Sequence, residues 1–506
     1  WMRRSGCTFS SESPSLAIVN TPSGGEKPLA RGGGACRNGP WVDPPGSGSG
    51  RVESPPVNQP DPECYGDQEF EDSLEPRHLI LRTDAVARAG GMMLGAGTSS
   101  LRVRQLMRRS AKALGLGHIA SSITFTSLAM TVERRGVFRT KVVEVPKPGV
   151  NAHRIAMLQK LSNEMPERIT ATELHQRLDA IEKTPNLYPA WLRGILVALA
   201  CAAVAILVGG GWQEAAAVVP ASGLAYLMFR RLGRWYLNHL AVVIVSALTA
   251  SAGYLLAAAG LAGWLGEPSP RLAVGFICAS IFLIPGFPLV TAGLELTRLD
   301  LTAGVPRMTY AAMIFVAIAI GVWVVAKAGG ITGDPPPPVV PMAPAVLWGL
   351  RAVAGFVAVF GWALMLNAPL RTAAVAGVIG IVGNAVRLAM ADSGIPDHVA
   401  VFTGCVVMGL GCAWLGGVFR LEKIIMTVPT LLVMVPGSSA LRTLLYFDAG
   451  DVNRAVTQGI ATMLGVVAMV AGLSAARMLT DPEWIFTRDD PPAIRVPVPR
   501  IRRRGN

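Results

Sequence analysis

The chain has 506 residues, of which 51% are hydrophobic and only 16% charged. A soluble protein of this size needs more charge to cover its surface, so the composition excludes an ordinary soluble globular protein. The formal net charge of +13 does not point to nucleic acid, because Lys and Arg gather beside apolar spans and in the tails, where membrane topology uses them.

Residues 1–77 are rich in Gly, Pro, Ser and Asp and read as a disordered tail. They contain no apolar core of a secretory signal. The opening Trp1-Met2 suggests a fragment, or a start placed upstream of Met2. Residues 78–190 read as a cytoplasmic α+β domain. Helical spacing covers 82–95 and 100–114, separated by Gly95-Ala96-Gly97. Residues 118–131 and 137–145 alternate and are β-rich, with Glu133 to Gly136 as the turn between them. Helical spacing returns at 152–164 and 171–183, the latter started by Thr170 with Glu173 three residues on.

Ten apolar spans follow: 191–209, 214–229, 238–261, 271–295, 308–328, 345–366, 370–390, 398–417, 424–447 and 456–477. Most approach the ~20 residues that cross a hydrocarbon core; the second is short and weak. Two groups of five, 191–328 and 345–478, flank a Pro-rich connector at 329–344, and a basic tail occupies 479–506. With the α+β domain inside, the inside loops carry Arg230, Arg231, Arg234, Arg298, Arg307, Arg371, Arg420 and Lys423. The tail adds Arg500, Arg502, Arg503 and Arg504, and the outside loops are poorer, although Arg387 and Arg454 weaken the bias. Both termini are therefore expected to be cytoplasmic.

Five spans per half make the second half cross the membrane in the opposite sense to the first. Both fourth spans carry a Pro-Gly pair at mid-length, Pro285-Gly286 and Pro436-Gly437. Such a pair strips backbone hydrogen bonds that hydrocarbon cannot replace. Matching breaks in two halves point to inverted repeats and to a secondary transporter's binding site. The plainer reading is that the prolines kink helices for packing. On the site reading, half-helices start at each break, and their N-termini suit a small carboxylate. Thr291, Ser438 and Ser439 add hydroxyls.

Ionisable groups near the spans are few, and each is costly there. Glu295, nine residues beyond the first break, is the candidate proton-coupling carboxylate; alternatively it is solvated at the cytoplasmic interface or paired with Arg298. Arg307, Arg387 and Arg442 are further candidate charge partners. Gly95 to Ser100 lacks the Lys-Ser/Thr of a P-loop and reads better as a helix break with an N-cap. The seven cysteines show no metal spacing and no disulfide framework. No Walker motif, catalytic constellation or cofactor motif is found.

Several segments resemble, in order, the threonine/serine exporter family of bacterial inner-membrane transporters. They are AGGMMLGAGTSSLRV, TKVVEVPKPGVNAHRIAMLQKLSNEM, LHQRLDAIEKTPNLYPAWL, the GGGW turn at 209–212, IPGFPLVTAGLELTRLDLTAGVPRM and VPTLLVMVPGSSALRTLLYFDAGD. They cover roughly residues 80–480. The resemblance implies a cytoplasmic α+β domain followed by ten helices in two fused five-helix halves. It also implies proton-driven export of small hydroxy amino acids across the bacterial inner membrane, by antiport, and leaves a homo-oligomer open. Glu295 falls where the family has an Asp, and Arg307 where it has an Arg. Arg104 departs from a usual Glu and Thr291 from a common Asn, which puts ion pairing and substrate identity in question. Two other classes stay open: a membrane-anchored enzyme or sensor, and a passive small-solute channel.

Overall fold

The computed structural model describes residues 77–481 and 484, apart from 135–136, 146–148, 236, 267–270 and 332–341. The expectations for the N-terminal tail, for Met2, for most of the Pro-rich connector and for the basic tail beyond Trp484 lie outside the described residues.

The described chain opens with α1 (Arg77–Gly95) and α2 (Ser100–Ala113). Between them Gly97 adopts φ +93, and a Cβ there would lie 2.5 Å from the carbonyl oxygen of Gly149. Only glycine fits both the left-handed backbone and the close approach. A three-stranded antiparallel sheet follows in the order β1-β2-β3 (Ile119–Ile123, Ser127–Arg134, Val137–Glu144). The run 118–131, read from sequence as one alternating stretch, is a hairpin. Thr124 donates its amide to the Ser127 carbonyl at 2.8 Å, and the Thr124 hydroxyl accepts the Ser127 amide at 3.1 Å. This local hydroxyl bonding closes a turn inside a β-rich run and leaves Phe125 at its tip. The second expected turn falls partly outside the described residues, with β2 and β3 paired as far as Arg134 and Val137.

Helices α3 (Ala152–Asn163) and α4 (Ala171–Lys183) complete this segment. Thr170 caps α4 by accepting the Glu173 amide at 3.2 Å. The Glu173 carboxylate turns instead to Arg177 at 2.6 Å, so the reciprocal half of the capping box is not made. Leu79, Met93, Leu106, Leu128 and Met130 are buried in a core shared by helices and sheet.

From residue 190 the described residues fall mainly in helices: α5 (Ala190–Leu207), α6 (Trp212–Leu232), α7 (His239–Leu265), α8 (Leu272–Cys278), α9 (Gly286–Leu296) and α10 (Leu301–Gly329). Then come α11 (Pro344–Met365), α12 (Leu370–Asp392), α13 (Asp397–Phe419), α14 (Lys423–Leu432), α15 (Gly437–Asp448) and α16 (Val452–Thr480). Among the described residues, eight spans are long and apolar enough to cross a membrane, taking Lys423–Asp448 as one, and the bent pair Leu272–Leu283 with Gly286–Leu296 makes nine. The expected second span, α6, is 21 residues long but is not among them; Glu214, Arg230 and Arg231 at its ends lower its hydropathy. The chain is a mostly helical, multi-pass membrane protein.

Helix contacts are made by small residues, as expected where apolar lipid removes the hydrophobic drive for association. Gly361 of α11 packs on Ala200 of α5, Gly321 of α10 on Ala247 of α7, and Gly409 of α13 on Ala476 of α16. The packing of the first group recurs in the second. The α5–α6, α6–α7, α7–α10 and α9–α10 contacts match α11–α12, α12–α13, α13–α16 and α15–α16.

The two Pro-Gly breaks share one local structure. Pro285 has φ −79 and ψ 58, and Pro436 has φ −77 and ψ 51. The amide of Gly286 donates to the Ile284 carbonyl and that of Gly437 to the Val435 carbonyl, each at 2.8 Å. Each proline is thus the centre of an inverse γ-turn, and each proline carbonyl accepts the first helical bond of the half-helix beyond, from Leu289 and Ala440. They differ in bend: the first break turns the chain by 69°, whereas the second passes as a continuous span.

Candidate functional site

A cavity of about 410 Å³ lies between the 77–183 segment and the membrane helices. Its floor is the first break, at Ile284, Pro285 and Gly286, joined by Leu432 from α14. Arg193 of α5, Arg230 of α6, His239 at the start of α7 and Arg307 of α10 line its walls. No Asp or Glu lines it among the described residues. The hairpin tip forms part of the roof. Phe125 packs on Tyr310 with ring centroids 4.9 Å apart, and the Arg307 guanidinium lies 5.5 Å from the Phe125 ring. His239 stacks on Tyr310 at 6.1 Å. Arg193 Nε is buried without a hydrogen-bond partner. A carboxylate entering this cavity meets guanidinium groups on three different helices.

Of the residues expected from sequence to bind solute, Pro285, Gly286 and Thr291 line the cavity. The Thr291 hydroxyl is buried and donates back to the Phe287 carbonyl at 2.8 Å. Pro436, Gly437, Ser438 and Ser439 do not line it. The two breaks touch, but through apolar groups. A Cβ on Gly286 would overlap Leu432, and one on Gly437 would overlap Ile284. The void left beside Trp362 and Leu432 is only about 20 Å³. The cavity is therefore roofed by the 77–183 segment and shut where the halves meet.

Behind the cavity wall lies a buried ion pair. Glu295, in the last turn of α9, is 3% exposed and Arg307 is 2% exposed; Glu295 Oε1 lies 3.2 Å from Arg307 Nη1. The chain reverses between them through Leu299, at φ +59, and the Asp300 amide donates to the Glu295 carbonyl at 3.0 Å. Oε1 also accepts the backbone amide of Ser100 at 2.8 Å, and Arg307 Nη1 donates to the Thr98 carbonyl at 3.3 Å. Ser99, the N-cap residue of α2, makes no side-chain cap bond. Glu295 thus serves as cap from another part of the chain, where the positive end of the helix dipole favours a carboxylate. The Gly97 turn presents a carbonyl to the buried cation and an amide to the buried anion.

Asp300 binds the same helix end. It accepts the Ser100 hydroxyl at 2.8 Å and the Thr302 hydroxyl at 2.9 Å, and lies 3.4 Å from Arg104. Burial opposes its charge, but the hydroxyl bonds from Ser100 and Thr302, with Arg104 beside it, outweigh burial and hold its carboxyl below the ordinary value. Arg104 thus ties α2 to the loop before α10.

Arg298 stacks over Trp484 at 5.0 Å. Arg387 pairs with Asp397 at 3.6 Å and with Asn384. Arg442 is half-buried on α15 and does not line the cavity. The lining contributed by Arg193, Arg230, His239 and Tyr310 was not picked out from sequence. Basic residues at span ends read as topology signals, and nothing local shows that they converge.

A cationic cavity enclosed by packed and broken membrane helices defines a membrane transporter. Residues 84–328 match the family model described as "Putative threonine/serine exporter", and residues 351–479 match "Threonine/Serine exporter, ThrE". The chain belongs to the threonine/serine exporter family, with both parts fused, and this is a family of transporters rather than enzymes. A probable succinate transporter subunit of Escherichia coli strain K12 is 28% identical over 253 residues, covering 49% of this chain and 94% of that protein. The corresponding subunit of Klebsiella aerogenes is 25% identical over 242 residues, covering 48% and 91%. A probable threonine/serine exporter of Mycobacterium tuberculosis is 22% identical over 468 residues, covering 85% and 83%. No solved structure matches the chain.

Proposed function

We propose that the chain is a proton-coupled secondary transporter that takes a small organic carboxylate into the central cavity from the side of the 77–183 segment. The observation that carries this reading is the cavity lining: Arg193, Arg230 and Arg307 beside the Pro285-Gly286 break, with no carboxylate among the described lining residues. Guanidinium groups recognise carboxylates by paired, charge-assisted hydrogen bonds. A solute with more carboxylate than ammonium groups fits best, and a relative named as a probable succinate transporter subunit makes a C4 dicarboxylate the first solute to try. Threonine and serine are the second reading, favoured by the family and by a relative matched along most of this chain. Their ammonium would have to be met by backbone carbonyls freed at the break.

The matching γ-turns and helix contacts of α5–α10 and α11–α16 support two inverted five-span repeats, with α6 as the tenth span. In this reading residues 78–190 form a cytoplasmic α+β domain, both termini are cytoplasmic, and the membrane is the bacterial inner membrane. The floor closed at Gly286 and Leu432 fits alternating access better than an open channel.

The test is uptake into proteoliposomes under an imposed proton gradient, with labelled succinate, threonine and serine. Gradient-dependent movement of succinate in preference to the amino acids supports the anion reading. Movement of threonine or serine alone replaces it with the second reading, and equal movement with and without the gradient removes the proton coupling.

A further inference from the structure

We propose that Glu295 and the transported anion compete for Arg307, so that a proton on Glu295 and an anion in the central cavity bind cooperatively. The inference rests on the reading of that cavity as the anion site. A second cavity of about 380 Å³ lies on the far side of the ion pair, bordered by Glu295, Ser100, Asp300 and several arginines. Arg307 borders the central cavity and Glu295 the side cavity. The pair is thus the partition between two spaces, one suited to a solute and one to water and protons.

The two ends of the pair are only partly used. Arg307 engages Glu295 and the Thr98 carbonyl through Nη1, while its Nε is buried with no hydrogen-bond partner. Glu295 Oε1 carries both the Ser100 amide and Arg307, while Oε2 is buried with no partner. Orphaned atoms of this kind are rare and call for an explanation. A proton from water in the side cavity can settle on Oε2 while Oε1, now a carbonyl oxygen, still accepts the Ser100 amide. The cap on α2 survives, but Arg307 loses its counter-charge. An uncompensated buried guanidinium is strongly unfavourable, and the carboxylate of a solute in the central cavity can replace the lost partner. With Glu295 ionised, Arg307 is already neutralised and the solute gains less.

The other charges around Glu295 leave this exchange intact. From α2, Arg102 and Arg104 face the side cavity, and Arg104 lies beside Asp300. From the α9–α10 loop come Arg298 and Asp300, and from α16 and its end come Arg477 and Asp481. Arg477 donates to the Thr427 hydroxyl at 3.3 Å. Helix α14 presents Ile424 to this cavity. None of these groups is hydrogen-bonded to Oε2. Proton and anion therefore occupy the carrier together, in contrast to the exchange that the family resemblance implies.

The experiment is equilibrium binding of labelled succinate to the full-length protein in nanodiscs over a range of pH. Wild-type affinity should fall with rising pH, by up to ~10-fold per pH unit for one linked proton. Glu295→Gln keeps the carbonyl acceptor for Ser100 and removes the charge. It should bind succinate as tightly as the wild type does in acid, and independently of pH. As a check that needs no variant, succinate added to weakly buffered wild-type protein should take up about one proton per anion bound, linkage requiring the same coupling in both directions. Binding without proton uptake, or a Glu295→Gln variant that keeps the wild-type pH dependence, overturns the linkage and leaves the anion site standing. Failure of wild type and variant alike to bind succinate at any pH overturns the anion reading and the linkage with it.

Discussion

Gly286 and Leu432 meet with no room for a Cβ between them. One lies just past the break of the first half and the other four residues before the break of the second. The same relationship recurs in reverse, with Gly437 against Ile284 and Ile281. The closed floor of the cavity is built from these contacts.

Gly286→Ala should therefore jam the floor. Overpacking a filled site costs about 1–3 kcal/mol, and because the clash is with a side chain tip, Leu432→Ala in the same chain should relieve it. Melting temperature and succinate uptake should both fall in Gly286→Ala, and melting temperature should recover in the double variant. Equal melting temperatures for Gly286→Ala and wild type would mean that the two breaks do not press together.

Glu295→Gln should lose gradient-driven transport while retaining solute exchange between the two sides. Glu295→Asp, which keeps a carboxylate at this position, should keep gradient-driven activity. Normal transport by Glu295→Gln across a range of pH would place the coupling site elsewhere.

Arg230→Gln should raise the KM for succinate with a smaller change in kcat, because it removes a charge that the bound solute meets without touching the floor. Loss of one charge-assisted contact of about 1.5–3 kcal/mol corresponds to roughly 10- to 100-fold in KM. An unchanged KM in Arg230→Gln and Arg193→Gln together would remove both arginines from the solute site.

Asp300 supplies a pH dependence outside the spans. Its folded carboxyl sits below the ordinary value. Its contribution to stability is therefore complete above the unfolded carboxylate value and is lost as pH falls through the folded one. Melting of the wild type should drop with acid in that window, whereas Asp300→Asn should start lower at neutral pH and change less. Arg104→Gln should weaken the same dependence. Parallel curves for wild type and Asp300→Asn would show that the α2 end is not held by this charge.

Much of the frame was legible in the sequence because it follows from local rules. The Pro-Gly pairs dictated where spans four and nine break, and Thr170 with Glu173 marked the start of α4. The hairpin at Thr124 was missed because Ser and Thr suit strand and turn alike, and the choice rests on one hydroxyl bonded to Ser127. Arg307 was among the candidate partners of Glu295. Its role as the partner required the reversal at Leu299, a residue with no glycine-like signature despite its positive φ. Ser438 and Ser439 resembled site residues because they follow a break. The side of a half-helix that faces a cavity depends on the bend of the break, and only the first break turns sharply. The cap that Glu295 places on α2 spans 195 residues of sequence, and no local pattern encodes a contact at that distance.

That cap also makes a single backbone proton into a gauge. The Ser100 amide sits in the first turn of a helix, where amides ordinarily lack intrahelical partners and exchange freely with solvent. Here its protection from deuterium depends on a carboxylate of the membrane bundle. Slow exchange at this one amide, read by mass spectrometry on peptides spanning residues 96–104, reports whether the 77–183 segment is seated on the bundle at that moment of the cycle.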